Sequence, residues 1–179
     1  MPKLTIGLVL PDVLGTYGDD GNALVLRERA RRRGIDASIE RIMLHDDVPP
    51  SCDLYTLGGG EDSAQLLAAA RLSASPGLQA AAADGRPIFA VCAGLQVLGP
   101  DASALGRVTR GVGNGADGEE KVDGVVQGSV IATYMHGPAL ARNPQLADLL
   151  IARALDIPLA ELEPLELDAV TKLREERLR

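Results

Sequence analysis

Four short apolar runs recur through the first half of the chain, at 4–10, 37–44, 54–57 and 87–91, and stretches with helical spacing separate most of them. Residues 23–33 bring Leu24, Leu26 and Ala30 near one helical face, and Gly34 supplies a stop. Residues 62–72 and 76–83 read as further helices, the latter ended by Gly85. Strands joined through helices cannot pair as hairpins. The rhythm predicts an α/β fold: a mostly parallel, twisted sheet with helices on both faces.

The second half changes character. Residues 106–138, "GRVTRGVGNGADGEEKVDGVVQGSVIATYMHGP", hold short β-prone pieces between glycine-rich turns and predict antiparallel edge strands. Asn143-Pro144 is a cap followed by proline at a first helical position, and a helix is expected over 144–155. A charged amphipathic helix from about residue 167 closes the chain, as a surface helix or a docking arm.

The 179 residues suit a single domain with one sizeable core. With aromatics at 2%, that core must be aliphatic and alanine-rich. A net charge of −7 argues against a nucleic-acid partner, which demands a basic face. The one basic cluster, "RERARRR" at 27–33, reads as a solvated helix face, or more sharply as a patch for a partner. Two cysteines in unlike contexts do not make a disulfide framework. The early run "TIGLVLP" is stopped by Pro11, and no run approaches the roughly 20 residues of a membrane span, so a cytoplasmic protein is expected.

The fourth apolar run ends on Cys92 and opens at once into "AGLQVL". A strand that delivers a nucleophile into a tight turn and a helix needs small neighbours, here Ala90 and Gly94. A helix N-terminus would also favour the thiolate. A buried structural cysteine fits the same spacing. A nucleophilic thiol needs a base, and there are two histidines. His45 sits in a polar loop, "MLHDDVPP"; His136 ends a β-prone run before Gly137-Pro138, at a strand end where such sheets gather their sites. "LGGGED" at 57–62 also ends a strand. Its glycine N–H groups, Gly59 and Gly60, together with that of Ala93, could hold an oxyanion. No lysine and Ser/Thr follow, which excludes a P-loop, and an ordinary turn stays open.

"GGGED", then "CAGLQ", then "YMHGP" resembles the class I glutamine amidotransferases, in their cobyric-acid-synthase-like branch. "GTYGDDGNALVLRERARRRGI" and "GSVIATYMHGPALARNPQLADLLI" are most similar to the glutaminase subunits (GatD) of lipid II isoglutaminyl synthases. The resemblance implies a flavodoxin-like sheet, Cys92 as nucleophile, His136 as proton shuttle, and Gly60 and Gln96 in the glutamine pocket. It implies no cofactor and no metal. It also implies a MurT-like ATP-dependent ligase as partner, using the ammonia to amidate the D-glutamate α-carboxyl of lipid II.

Two departures stand out. The family's glutamate two residues after the histidine is Pro138 here, so an orienting carboxylate must come from Asp19, Asp20, another acidic residue or the partner. "QVLG" runs straight into "PDASALGRV", where the family has a longer stretch that helps bind glutamine, so a segment is expected to be missing between 99 and 100. Three other readings remain: an amidotransferase for a cobyrinate-type carboxylate, a silent partner-binding module, and a plain cysteine hydrolase.

Overall fold

The computed structural model describes residues 2–99, 103–107, 115–117 and 120–178. The expected gap at 99–100 lies outside the described residues.

The elements run β1 (Lys3–Val9), α1 (Gly21–Arg31), β2 (Asp36–Ile42), β3 (Leu54–Leu57), α2 (Asp62–Ala74), α3 (Gly77–Ala83), β4 (Ile88–Val91) and α4 (Ala93–Leu98). They continue with β5 (Ser103–Arg107), β6 (Gly115–Asp117), β7 (Glu120–Gln127), β8 (Val130–Thr133), α5 (Ala139–Arg142), α6 (Pro144–Ala154) and α7 (Asp168–Leu178). All eight strands join one sheet in the order β2-β1-β3-β4-β8-β7-β5, with β6 paired to β7. The first five of that order are parallel, and β5, β6 and β7 are antiparallel. The parallel part has the doubly wound order 2-1-3-4-5 of flavodoxin-like sheets.

The expected antiparallel edge strands are present as β5, β6 and β7, and one segment counted among them lies elsewhere. β7, β5 and β6 do extend the sheet on one side, but β8 is a parallel strand lying directly beside β4. The chain leaves β4, makes the antiparallel excursion, and returns in register, with Ala90 opposite Ala132 and Val91 opposite Thr133. Glycine-rich turns around the β8 segment mimic an edge. Its buried Ile131, Ala132 and Thr133 belong to the interior.

Strands β3 and β4 are buried at every position because helices cover both faces, which is why neither shows polar alternation. The period of two survives in where each side chain goes. Phe89 and Val91 pack with Leu26, Ala30, Leu150 and Ile151 on the face of α1 and α6. Ile88 and Ala90 pack with Ala68, Leu72, Leu78 and Ala81 on the face of α2 and α3. Burying each large aliphatic side chain contributes about 1.5–3 kcal/mol.

The basic cluster is not wholly solvated. Arg29 is 5% exposed. Its Nε and Nη2 donate to Asp148 Oδ1 and Oδ2 at 2.8 and 2.7 Å, and Arg33 Nη2 reaches the same Oδ2 at 3.0 Å. Arg29 in α1 and Arg33 just past its end both turn inward onto Asp148 of α6, while Arg32 remains outside, paired with Glu28. Arg29 Nη2 also donates to Leu165 O at 3.2 Å, which ties down the segment entering α7.

Candidate active site

The strand order reverses between β1 and β3, and a crevice opens beyond the carboxyl ends of strands at such a point. Four segments emerge there: the turn before α1, the glycines after β3, Cys92 after β4, and residues 134–138 after β8.

Cys92 sits at the strand-to-helix joint with φ 52° and ψ −113°, a strained conformation for a side-chain-bearing residue. Neighbours hold it there. The Cys92 N–H donates to Thr133 O at 2.8 Å, and the Gly94 N–H donates to Gly58 O at 3.1 Å. A Cβ at Gly94 would stand 2.9 Å from Gly58 O and 3.0 Å from Leu57 Cβ, so only glycine permits the joint to close on β3. The elbow expected from sequence is present, but its electrostatics are reversed. Burial pushes the Cys92 thiol above its ordinary pKa. The Ala93 N–H hydrogen bond lowers it, and the nearby Asp19 and Glu61 carboxylates raise it further. Helix α4 behind the thiol has only six residues.

His136 follows β8 by three residues. Since Val91 pairs with Thr133, the chain carrying Cys92 and the chain carrying His136 leave the sheet side by side. Thr133 shapes this exit: its hydroxyl donates to Asp123 Oδ2 at 2.8 Å and accepts the Met135 N–H at 3.1 Å. Among the described residues no hydrogen bond joins Cys92 Sγ to the imidazole. The ring of His136 instead meets Tyr17 edge-on, with centroids 4.7 Å apart and planes at 68°.

The turn "GTYGDDGN" at 15–22, which holds the candidate carboxylates Asp19 and Asp20, organises the crevice. Asn22 is 1% exposed. Its Oδ1 accepts the Leu140 N–H at 3.0 Å, and its Nδ2 donates to Gly137 O at 3.5 Å, so one amide clamps the histidine turn from behind. The Tyr17 hydroxyl donates to Glu61 Oε1 on the other side of the crevice. Glycine, aspartate and asparagine suggest a turn. Only the fold reveals that this turn touches three others.

Asp19 changes the expected oxyanion hole. Its Oδ2 accepts the Gly59 N–H at 2.8 Å, so that donor is occupied, leaving the N–H groups of Gly60 and Ala93. The two N–H groups differ in setting: that of Ala93 faces the Cys92 sulfur and lowers its pKa, and Gly60 is half-buried among Val13, Leu14 and Ala64. Gly59 lies against Cys92, since a Cβ there would stand 3.0 Å from both Cys92 Cβ and Asp19 Oδ2. As orienting carboxylates Asp19 and Asp20 fall short. Asp19 serves Gly59, Asp20 approaches Arg41 at 3.7 Å, and neither hydrogen-bonds His136. Burial raises the Asp20 pKa, which Arg41 partly offsets. Gln96 is exposed on α4, with its N–H on Cys92 O at 3.2 Å.

The remaining residues stand apart. His45 is exposed in the turn after β2. Cys52 is buried, its thiol pushed up to about 12 by burial and by Glu40, and is inert. Among the described residues no cluster of three or more His, Cys, Asp or Glu could hold a metal, and no helix is long and apolar enough to cross a membrane.

The profile of the CobB/CobQ-like glutamine amidotransferase domain matches residues 5–113, which takes in the glycine loop and the cysteine elbow and stops short of the histidine turn. The chain is 29% identical to the subunit GatD of lipid II isoglutaminyl synthase (glutamine-hydrolyzing) from Staphylococcus aureus strain N315, over 223 positions covering 94% of this chain and 91% of the relative. The corresponding subunit from Streptococcus pneumoniae is 27% identical over 213 positions, covering 86% of this chain and 81% of the relative. Subunit PdxT of pyridoxal 5'-phosphate synthase from Natronomonas pharaonis is 37% identical over 91 positions, covering 50% of this chain and 47% of that one. The first alignment is longer than the 179 residues here, so that relative carries segments without a counterpart in this chain.

Proposed function

The chain belongs to the CobB/CobQ-like glutamine amidotransferase family, and from that premise we propose that it is the glutaminase subunit of a lipid II isoglutaminyl synthase. The observation that carries the chemistry is the strained elbow at Cys92, set beside the strand end that bears His136.

In this reading the Cys92 sulfur attacks the side-chain carbonyl carbon of glutamine after its proton passes to His136. The carbonyl oxygen becomes an oxyanion facing the N–H groups of Gly60 and Ala93. The imidazolium returns the proton to the departing nitrogen, the C–N bond breaks, and ammonia leaves a thioester on Cys92. Water, deprotonated by His136, then cleaves the thioester to glutamate and the free thiol. Glutamine is thus the substrate. Gly60 and Gln96 are the pocket residues on this side of the crevice.

The ammonia passes to an ATP-dependent, MurT-like ligase that amidates the D-glutamate α-carboxyl of lipid II in the cytoplasm. Coverage of 94% and 91% between this chain and the staphylococcal subunit supports that acceptor over a cobyrinate-type one. The ligase also supplies what His136 lacks. The imidazole has no carboxylate hydrogen bond among the described residues, and its thiol partner is held in the protonated form by burial and by two carboxylates. Loss of an orienting carboxylate costs on the order of 10⁴-fold in a related triad. The isolated chain is therefore a weak glutaminase, and the partner completes it.

Glutamate release is measured for the chain alone, for the chain co-expressed with its ligase, and for Cys92→Ala in both settings. The expected result is low turnover alone, strong activation in the complex, and none in the variant. Equal turnover alone and in complex rejects the completion by the partner. Turnover retained in Cys92→Ala rejects the nucleophile, and no turnover in either parent sample rejects the glutaminase.

A further inference from the structure

Among the described residues the ring that His136 meets is that of Tyr17, and Tyr17 also reaches the glycine loop after β3. Its ring meets the imidazole edge-on at 4.7 Å. Its Cδ2 lies 3.4 Å from where a Cβ on Gly59 would stand, next to the nucleophile. Its hydroxyl donates to Glu61, at the far end of the glycine loop. The residue is 42% exposed, so hydrophobic burial does not account for its position. An imidazole at the end of an exposed turn has free rotation about two side-chain bonds. A proton shuttle needs one orientation, and the Tyr17 ring stands where it can limit that rotation.

The geometry points to Tyr17 as the positioning residue whose ring sets the ring plane of His136, its hydroxyl bond to Glu61 being a secondary tie across the crevice. The inference rests on the glutaminase reading, since a ring plane matters only if His136 moves a proton. An aromatic ring does this without competing for either imidazole nitrogen, so both stay available, one to the thiol and the other to a carboxylate from outside the chain. Glu61 also gains a role. It lies in the "GGGED" motif, and its bond to Tyr17 ties the glycine loop after β3 to the turn after β1.

The test compares Tyr17→Leu, Tyr17→Phe and Glu61→Gln. All three are changes at exposed positions, so folded protein is expected, and thermal unfolding checks it. Two measurements follow. The first is the proton NMR spectrum of the isolated chain, in which His45 is the other histidine and His45→Gln identifies the His136 signals. Tyr17→Leu should remove the ring-current displacement of the His136 carbon-bound protons, and Tyr17→Phe should keep it. The second is glutamine hydrolysis by the chain co-expressed with its ligase. Tyr17→Leu should lower kcat by about tenfold with KM little changed, while Tyr17→Phe restores most of the rate. Glu61→Gln keeps a neutral acceptor for the hydroxyl and should behave like Tyr17→Phe.

The His136 signals unmoved by Tyr17→Leu, or kcat equal to the parent's, would overturn the inference. So would a loss confined to KM, which would make Tyr17 a glutamine contact. If the parent complex does not hydrolyse glutamine, the glutaminase reading is what fails, and the NMR result still decides whether Tyr17 orients the ring.

Discussion

Replacing Asn22 by alanine tests whether the turn before α1 holds the histidine turn in place. The amide is 1% exposed and spans two backbone groups, accepting from the Leu140 N–H at 3.0 Å and donating to Gly137 O at 3.5 Å. Alanine strips both. The Leu140 N–H is buried, and an unmet buried donor costs about 1–3 kcal/mol. The longer bond to Gly137 O contributes at most about 0.5–1 kcal/mol. A destabilisation of about 1.5–4 kcal/mol follows, or a fall in Tm of roughly 3–16 °C for a chain of this size. Asn22→Asp separates the two bonds. Its carboxylate still accepts from Leu140, but it sets an anionic oxygen against the Gly137 carbonyl. A buried, unpaired carboxylate costs several kcal/mol, so this variant should unfold at least as easily as Asn22→Ala, and it should also lose glutamine hydrolysis because Gly137 directly follows His136. Differential scanning fluorimetry and glutamate release with the ligase present read the two effects. A Tm for Asn22→Ala within about 2 °C of the parent would refute the clamp. Full activity in both variants would show that the histidine turn is held by other contacts, such as Pro138 against Gly21.

Gly59→Ala places a methyl 3.0 Å from both Cys92 Cβ and Asp19 Oδ2; it should unfold more easily by about 1–3 kcal/mol and hydrolyse glutamine much more slowly, whereas unchanged kcat would show slack between glycine loop and nucleophile. The raised Cys92 pKa means the thiol is protonated at neutral pH, so iodoacetamide alkylation of the isolated chain should climb about tenfold per pH unit and go on rising above the ordinary thiol range. Asp19→Asn removes a charge that raises that pKa, so its alkylation at neutral pH should be faster than the parent's; an identical rate profile would dismiss the carboxylate's influence. Asp148→Ala leaves Arg29 and Arg33 without their shared carboxylate and should cost about 3–5 kcal/mol in urea unfolding, with Arg29→Met milder than Asp148→Ala because Arg33 still pairs; a loss near zero would mean that water reaches both guanidinium groups.

Much of the scaffold was legible without coordinates because it rests on local chemistry. The apolar runs at 54–57 and 87–91 are strands since β-branched and aromatic residues bounded by turn formers have little else to become. Pro144 starts a helix because its fixed φ suits a first turn. Cys92 is a candidate from sequence because it joins a buried strand to a helix between small neighbours; a buried structural cysteine fits that spacing equally, and the late histidine tips the choice. Pairing across distance was not legible. Nothing local distinguishes β8, which joins the parallel core, from β7 beside it, which runs the other way. That choice is made by which strand can reach β4 in register while burying Ile131 and Ala132. The same holds at the site. The sequence offers Asp19, Asn22 and Tyr17 as turn residues, each able to bond its own backbone. Tertiary structure sends all three elsewhere, to Gly59, to Gly137 and Leu140, and to His136 and Glu61, because the turn is pinned where four strand ends converge and its polar groups must find partners there. Residue types set which chemistry is available to this chain. Only the convergence of distant segments determined that Gly59's N–H is already taken, that the thiol is held protonated, and that the histidine meets a tyrosine ring.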